Sequence, residues 1–146
     1  MKVKRLEELA GLGGVLCHGC FDLLHYGHIL HLQYAKAMYP SGKLVVTITA
    51  DAFIRKGPGR PLFTAEIRAE CLAALACVDH VAIVYESTGL SAIELIRPSF
   101  YVKGEEYQGQ GGVAELERLL VEQYGGIMRY TPRWCSSTSI MERLHT

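Results

Sequence analysis

Short apolar segments alternate along the chain with segments in which apolar residues recur at helical spacing. The apolar run Gly14–Phe21 predicts a first strand, and apolar residues three or four positions apart over Tyr26–Met38 predict a first helix. Lys43–Ala50 is rich in β-branched residues and follows a Pro-Ser-Gly turn, which indicates a second strand. The pattern then predicts helices over Ala65–Cys77, Leu90–Ile96 and Val113–Tyr124, strands over Val78–Tyr85, Phe100–Lys103 and Gly126–Tyr130, and a helical tail.

This alternation predicts an α/β fold with a doubly wound sheet of five parallel strands. Strands that are apolar along their whole length are buried on both faces, as they are when right-handed crossovers place helices on each side. We expect a single domain over residues 14–146, preceded by an N-terminal helical extension over residues 1–13.

Two of the predicted helices have apolar positions that we expect to face the core. Leu116, Leu119 and Leu120 share one face of the helix over Val113–Tyr124. Cys71 and Cys77 lie in the apolar second helix, which favours a core position for both.

Composition and charge narrow the class of protein. The 146 residues are 49% hydrophobic, which suits one core and leaves little room for a second. Fifteen basic and fifteen acidic residues give no net charge, so no overall field attracts nucleic acid or an anionic membrane. The chain lacks an apolar run of ~18 residues and a signal-peptide core. We therefore expect a soluble cytoplasmic protein. Five cysteines, an odd number, argue against a disulfide framework and for reduced thiols.

Two histidines lie three residues apart in the loop after the first strand. His25 and His28 flank Gly27 where the first helix begins, so both rings leave a helix N-terminus whose unpaired N–H groups and dipole attract anions. A phosphate group is the expected ligand, with Asp22 as an acid among these donors. His31, one turn further along, is predicted on the helix surface.

A zinc site is the alternative explanation for the same loop. Cys17 and Cys20 form a CxxC pair, and His18, His25 and His28 lie nearby in the sequence. The two cysteines span a predicted strand end with opposite-facing geometry, and no second CxxC follows. We therefore expect no protein-held metal, and elemental analysis of the purified protein tests this.

The loops after the second and fourth predicted strands also carry polar groups, and such loops meet at one edge of a parallel sheet. Lys56 and Arg60 lie among glycines in a segment suited to cover a polyphosphate, although a solvated basic loop is the alternative. Asp51 is placed to accept a hydrogen bond from a ribose or a base, or to cap a turn. Lys103 and Gly104 lie near a ligand, or are an ordinary strand exit and turn.

Hydroxyl groups cluster where the last helix begins. Ser136, Ser137 and Thr138 combine with the N–H groups of that helix to form an anion site, and an ordinary N-cap predicts the same residues. The two interpretations are compatible with each other.

The stretch GCFDLLHYGH resembles the GxFDxxHxGH signature of the cytidylyltransferase-like nucleotidyltransferases. KGPGRP followed by Arg68, then VKGEEY and CSST, are similar to the adenylyltransferase domain of heptose-phosphate enzymes, a branch of that superfamily. The resemblance runs from about residue 14 to about residue 144. It implies a Rossmann-like fold and an enzyme in which an acceptor phosphate attacks the α-phosphorus of a nucleoside triphosphate and pyrophosphate leaves.

The resemblance also implies roles for individual residues. As catalytic groups, His25 and His28 stabilise the transition state while Lys56 and Arg68 contact the triphosphate. The implied nucleotide-binding residues are Gly19, Cys20, Phe21, Gly27, Lys103, Gly104, Ser136, Ser137 and Thr138, and the implied substrate-binding residues are Asp22, Asp51 and Lys56. Mg²⁺ is expected to arrive on the phosphates of the nucleotide rather than in a protein cage.

The branch that the chain resembles favours ATP and a sugar 1-phosphate such as heptose 1-phosphate. The alternative is a CTP-dependent enzyme acting on glycerol 3-phosphate, an aminoalcohol phosphate or a phosphonate. In the glycerol-phosphate and choline-phosphate enzymes an arginine precedes the first serine of the last motif by five residues. That position is Thr131 here, and Arg133 is displaced from it by two residues.

A different class is a nucleotide sensor without catalytic activity, which would keep the phosphate loops and lose a catalytic cation or histidine. None of those residues is missing from this sequence. The implied partners are therefore a nucleoside triphosphate and a phosphorylated small molecule, and the habit of the family implies a possible homodimer.

Overall fold

Five parallel strands form one sheet in the computed structural model, which describes residues 1–134 and 137–144. The strands are β1 Val15–Gly19, β2 Leu44–Thr49, β3 His80–Val84, β4 Phe100–Gly104 and β5 Ile127–Thr131. Their order is β3-β2-β1-β4-β5. The predicted α/β fold with a five-stranded parallel sheet is confirmed.

The centre of the sheet determines where a ligand can bind. Val15 of β1 pairs with Leu44 of β2 on one side and with Phe100 of β4 on the other. The chain winds from β1 toward β3 and then returns to the other side of β1, so the order reverses between β1 and β4. Ligands of open α/β sheets bind at the carboxyl ends of the strands beside such a reversal.

Helices cover both faces of this sheet because neighbouring strand residues point to opposite sides. The helices are α1 Tyr26–Met38, α2 Ala65–Ala73, α3 Leu90–Ile96, α4 Val113–Gln123 and α5 Ser137–Leu144. Val15 packs in one core with Leu32 of α1, whereas the next residue, Leu16, packs in a second core with Ile93 of α3. The sheet is therefore doubly wound, as predicted.

Helix α2 ends earlier than its apolar pattern predicts. The Leu75 amide bonds the carbonyl of Leu72, three residues back, so the helix tightens into a turn before Cys77. Cys71 is exposed, because the buried face of α2 runs through Ala69 and Leu72 instead. The core position predicted for Cys71 is therefore wrong.

The first 13 residues differ from the predicted helical extension. Only Leu6–Leu9 are helical, in a single turn of 3-10 helix. Val3 forms a parallel bridge to Val81 of β3, and Leu9 is 3% exposed in the second core. The segment lies along the edge of the sheet, since this position pairs its backbone and buries Leu9.

Helix α4 also departs from its predicted orientation. Leu116 and Leu119 are 53% and 50% exposed, while Glu117 and Val121 are buried. The helix contacts the second core through Val121 and Leu120, so the predicted core position holds for Leu120 and is wrong for Leu116 and Leu119. No helix in the described part of the chain is long and apolar enough to cross a membrane.

Candidate active site

A cavity of about 610 Å³ opens at the carboxyl ends of β1, β4 and β5. It lies beside the reversal in strand order, where a doubly wound sheet binds its ligands. Residues from three predicted loops line it, namely Gly19, Cys20, Phe21, Gly27, His28, Lys56, Lys103 and Gly104. The fold therefore brings together residues that are distant in sequence.

The two motif histidines stack on each other at the beginning of α1. The ring centroids of His25 and His28 are 3.8 Å apart with 23° between the ring planes. The His25 backbone N–H donates to His28 Nδ1 at 3.3 Å. Because Nδ1 accepts this bond, the proton of a neutral His28 is on Nε2, which makes that atom a donor for a bound anion.

The surroundings of both histidines favour the neutral form of the imidazole. Burial lowers the pKa of His28 to about 3, and the neighbouring His25 and Lys56 contribute in the same direction. Burial and Lys56 also lower the pKa of His25. A bound triphosphate would oppose the effect of Lys56, because its negative charge favours protonated imidazole.

The backbone of Phe21, in the same loop, has an unusual conformation. Its φ of 52° lies in the left-handed region, which costs a residue with a Cβ ~1 kcal/mol or more. Its ring lies 5.0 Å from the His28 ring and packs over Gly19, where an added Cβ would lie 3.1 Å from Phe21 Cε2. A side chain at position 19 would therefore press on the Phe21 ring that packs beside His28.

Asp22, predicted to contact the substrate, is completely buried. Its carboxylate accepts hydrogen bonds from the Leu62 and Phe63 amides at 2.7 and 3.0 Å and from Arg60 Nε at 3.1 Å. Burial alone would raise the pKa of Asp22, but these hydrogen bonds outweigh burial and hold the pKa below its ordinary value. Asp22 therefore anchors the basic loop to the histidine loop, and its contact with substrate stays a prediction.

Arg68, predicted to contact the triphosphate, is 1% exposed. Its guanidinium donates to three backbone carbonyls, those of Cys20, Thr49 and Phe63, at 2.8 to 3.0 Å. Nη2 also pairs with Asp51 Oδ1 at 2.6 Å. Arg68 thus ties three segments around the cavity together, and a direct role for it in the reaction remains a prediction.

Asp51, another predicted substrate-binding residue, lies at the edge of the same arrangement. Besides pairing with Arg68, its Oδ1 accepts the Ala65 amide at 2.9 Å, the first N–H of α2. This geometry matches the capping role that the sequence allowed as the alternative, because a carboxylate satisfies an unpaired amide at a helix N-terminus.

Two lysines line the cavity from opposite loops. Lys56 belongs to the basic loop, and burial lowers its pKa. Lys103 Nζ donates to the His18 carbonyl at 3.3 Å and lies 4.6 Å from the centroid of the Tyr107 ring. Both side chains are placed to contact an anionic group inside the cavity.

Sequence reasoning missed His31, which lines the cavity instead of lying on the helix surface. Its Nδ1 is 2.6 Å from Thr131 Oγ1 at the end of β5, and burial lowers its pKa to about 4. The three-residue spacing from His28 is the signal that identifies it, since both residues then share one face of α1.

His18 is a second lining residue without an assigned role. Its Nδ1 is 2.9 Å from Thr47 Oγ1 and its Nε2 is 3.4 Å from Thr49 Oγ1, so β2 holds the ring on both sides. Burial lowers its pKa to about 3. The ring is therefore a neutral wall of the cavity.

Part of the predicted site lies outside the described residues. This applies to Ser136 and to the side chains of Ser137 and Thr138, although α5 begins at Ser137. Within residues 1–134 and 137–144, no group of three or more His, Cys, Asp or Glu side chains is arranged to hold a metal ion.

Comparison with known proteins agrees with the motifs. Residues 16–143 match the cytidylyltransferase-like family. The chain is 40% identical over 146 residues to the bifunctional protein HldE of Syntrophotalea carbinolica, covering 97% of this chain and 29% of that protein. It is 41% identical to the HldE protein of Geobacter sulfurreducens, covering 98% and 31% respectively. The chain thus spans about three tenths of the length of these relatives.

Solved structures give the same result. The lipopolysaccharide core biosynthesis protein of Thermoplasma volcanium is similar with a TM-score of 0.66 and 26% identity, over 86% of this chain and all of that one. A pantoate-β-alanine ligase from Francisella tularensis is similar in fold, with a TM-score of 0.62 at 14% identity, over 94% of this chain and 69% of that one.

Proposed function

Because the chain belongs to the cytidylyltransferase-like family, we propose that it transfers the AMP group of ATP to a sugar 1-phosphate such as heptose 1-phosphate. Membership of the family confirms the predicted nucleotidyltransferase class. The observation that carries the proposal is His28, which stacks on His25 at the beginning of α1 and lines a cavity that Lys56 and Lys103 also line. The choice of ATP and a sugar phosphate is supported by the similarity of KGPGRP, VKGEEY and CSST to the heptose-phosphate branch.

The reaction needs charge stabilisation and positioning. An oxygen of the acceptor phosphate attacks the α-phosphorus, the bond from that phosphorus to the bridging oxygen breaks, and pyrophosphate leaves with the electron pair. Because negative charge increases on the phosphoryl oxygens, fixed N–H and ammonium donors lower the barrier. In this proposal the Nε2–H of His28 and the Lys56 ammonium serve as such donors, and Lys103 helps to orient the acceptor phosphate.

Mg²⁺ fits this site as an ion coordinated by the phosphates of the nucleotide. The described residues offer donors to phosphate oxygens and no carboxylate cage, so the triphosphate itself would supply the ligands of the ion. When bound, the ion reduces the charge of the triphosphate. The lysines and histidines then bind and orient the remaining phosphate oxygens.

Pyrophosphate release by the purified chain tests the proposal. ATP and CTP are each offered with Mg²⁺ against heptose 1-phosphate, glycerol 3-phosphate and an aminoalcohol phosphate. We expect release only with ATP and the sugar phosphate. Release with CTP and glycerol 3-phosphate would overturn both the nucleotide and the acceptor proposed here.

Two histidine variants make that assay specific. His28→Ala should abolish release, because it removes a donor from the cavity. His80→Ala is the matched control, since His80 lies at the start of β3 and does not line the cavity. Stoichiometric zinc in the purified protein, together with no turnover by any pair, would favour the metal-binding alternative instead.

A further inference from the structure

One buried carboxylate in the cavity has no role in the reaction described above. Glu117 of α4 lines the cavity although it is only 3% exposed. No ion pair forms at Glu117 within the described part of the chain. A buried carboxylate is costly unless it is paired or hydrogen-bonded, so its partners require an explanation.

The surroundings of Glu117 supply only part of what the carboxylate needs. Its Oε2 accepts the Gly89 amide at 2.7 Å. The hydroxyl of Tyr101 lies next to the same carboxylate, and burial together with the charge of Glu117 raises the pKa of that phenol well above its ordinary value. Tyr101 therefore stays protonated, and its neutral hydroxyl does not neutralise the negative charge of Glu117.

Glycine at position 89 lets these groups meet. An added Cβ there would lie 2.5 Å from the Tyr101 hydroxyl oxygen, 3.0 Å from Glu117 Oε2 and 3.3 Å from His18 Cβ. These are three side chains from three different elements, and two of them, His18 and Glu117, line the cavity. The packing therefore holds the carboxylate at the cavity wall.

The charges along the cavity indicate what kind of group Glu117 receives. Lys56 and His28 can bind phosphates in the cavity, whereas Glu106 and Glu117 line the same cavity and would repel them. A cationic ligand would be repelled in turn by Lys103 and Arg133, which line the same cavity. A neutral group that donates hydrogen bonds satisfies both conditions.

We propose that Glu117 is a specificity residue whose carboxylate accepts hydrogen bonds from adjacent hydroxyl groups of the ligand, in a diol carried by the sugar acceptor or by the ribose of the nucleotide. The inference rests on the proposed function, because both candidate ligands combine phosphates with such a diol. Bonds to a charged acceptor are the stronger class of hydrogen bond, so a carboxylate at this place selects hydroxylated ligands over deoxy analogues.

Glu117→Gln tests this inference. The glutamine keeps an oxygen for the Gly89 amide and loses the charge, so a purely structural role is largely preserved while hydroxyl binding weakens. Glu115→Gln is the matched control, because Glu115 lies on the same helix with a side chain that is 45% exposed and pairs with Arg118. Calorimetry with ATP, 2′-deoxy-ATP, 3′-deoxy-ATP and heptose 1-phosphate measures binding without turnover.

We expect Glu117→Gln to weaken binding of one hydroxylated ligand ~10-fold or more. If the acceptor carries the diol, the affinity for heptose 1-phosphate falls and the affinity for ATP does not. If the ribose carries the diol, the affinity for ATP falls, and the variant loses its preference for ATP over 2′-deoxy-ATP or 3′-deoxy-ATP.

Unchanged affinities for ATP and heptose 1-phosphate, within twofold of the wild-type chain, would overturn the inference. The same holds if Glu117→Gln only lowers the melting temperature. Failure of the proposed function is a separate result, seen as no pyrophosphate release by the wild-type chain with any substrate pair.

Discussion

Two pairs of basic residues surround the cavity, and they differ in what their charged groups contact. Arg60 and Arg68 bind the carboxylates of Asp22 and Asp51 and, with them, backbone carbonyls of several loops. Lys56 and Lys103 line the cavity itself, and Lys103 also donates to the His18 carbonyl. The comparison shows that position within a basic motif does not reveal whether a charge organises the walls or faces the ligand.

Replacing Arg68 should have the largest effect, and the effect should be on stability. Arg68→Ala removes the guanidinium donor from three backbone carbonyls and leaves Asp51 with the Ala65 amide, in a site where the arginine side chain is 0% exposed. We expect the free energy of unfolding to fall by ~3 to 5 kcal/mol, measured by urea denaturation.

Arg55→Ala is the control for that experiment. Arg55 is exposed, and the contact described for it is a bond to the carbonyl of Ala52, three residues earlier. Its loss should therefore change stability by less than ~0.5 kcal/mol. If Arg68→Ala instead keeps the wild-type stability and loses activity, the role in triphosphate binding implied by the family resemblance is correct and the comparison fails.

Replacing Lys56 should lower activity and leave stability nearly unchanged. Lys56→Ala removes a cation from the cavity, so we expect kcat/KM for pyrophosphate release to fall ~100-fold. The free energy of unfolding should change by less than ~0.5 kcal/mol. A loss of stability as large as that of Arg68→Ala would show that the two basic residues do not differ in the way proposed.

The smallest expected effect is a pH dependence of stability that comes from His18. Burial lowers its pKa in the folded protein to about 3 from 6.5, so only the unfolded chain takes up this proton between those values. Stability from this group is therefore complete above about pH 6.5 and falls with decreasing pH, by up to ~1.4 kcal/mol per unit.

His18→Asn isolates that contribution, because asparagine does not titrate and can still bond Thr47. Urea denaturation of both proteins from pH 7 to pH 5 should show a steeper fall for the wild-type chain. Parallel curves would mean that His18 is protonated in the folded state and that the cavity is more polar than its burial indicates.

Much of the fold was accessible from local sequence pattern. The bounds of α1 and α3 agree with the prediction, since their apolar spacing and flanking turns are local signals. The end of α2 and the 3-10 turn at Leu6–Leu9 were not accessible, because a tightened turn and an edge pairing with Val81 depend on contacts with other segments.

The residues of the candidate site also fall into those that the sequence could identify and those that it could not. His28 and Lys56 line the cavity as their loops predict, and His31 could have been found from its spacing to His28. Glu117 has no such signal. Its position on α4 became significant only when Val121 oriented the helix against the second core and turned Leu116 and Leu119 outward.

The sequence by itself determined the order of strands and helices along the chain, the doubly wound parallel class of the sheet, and the loops that carry the chemical groups. The physical reason is that periodicity, turn residues and helix N-termini act over a few neighbouring residues. Only the tertiary structure decided which basic side chains bond other protein groups around the cavity and which line the cavity. Arg68 reaches Cys20, 48 residues away, and Thr131 reaches His31, 100 residues away, and such contacts depend on how the packed elements meet.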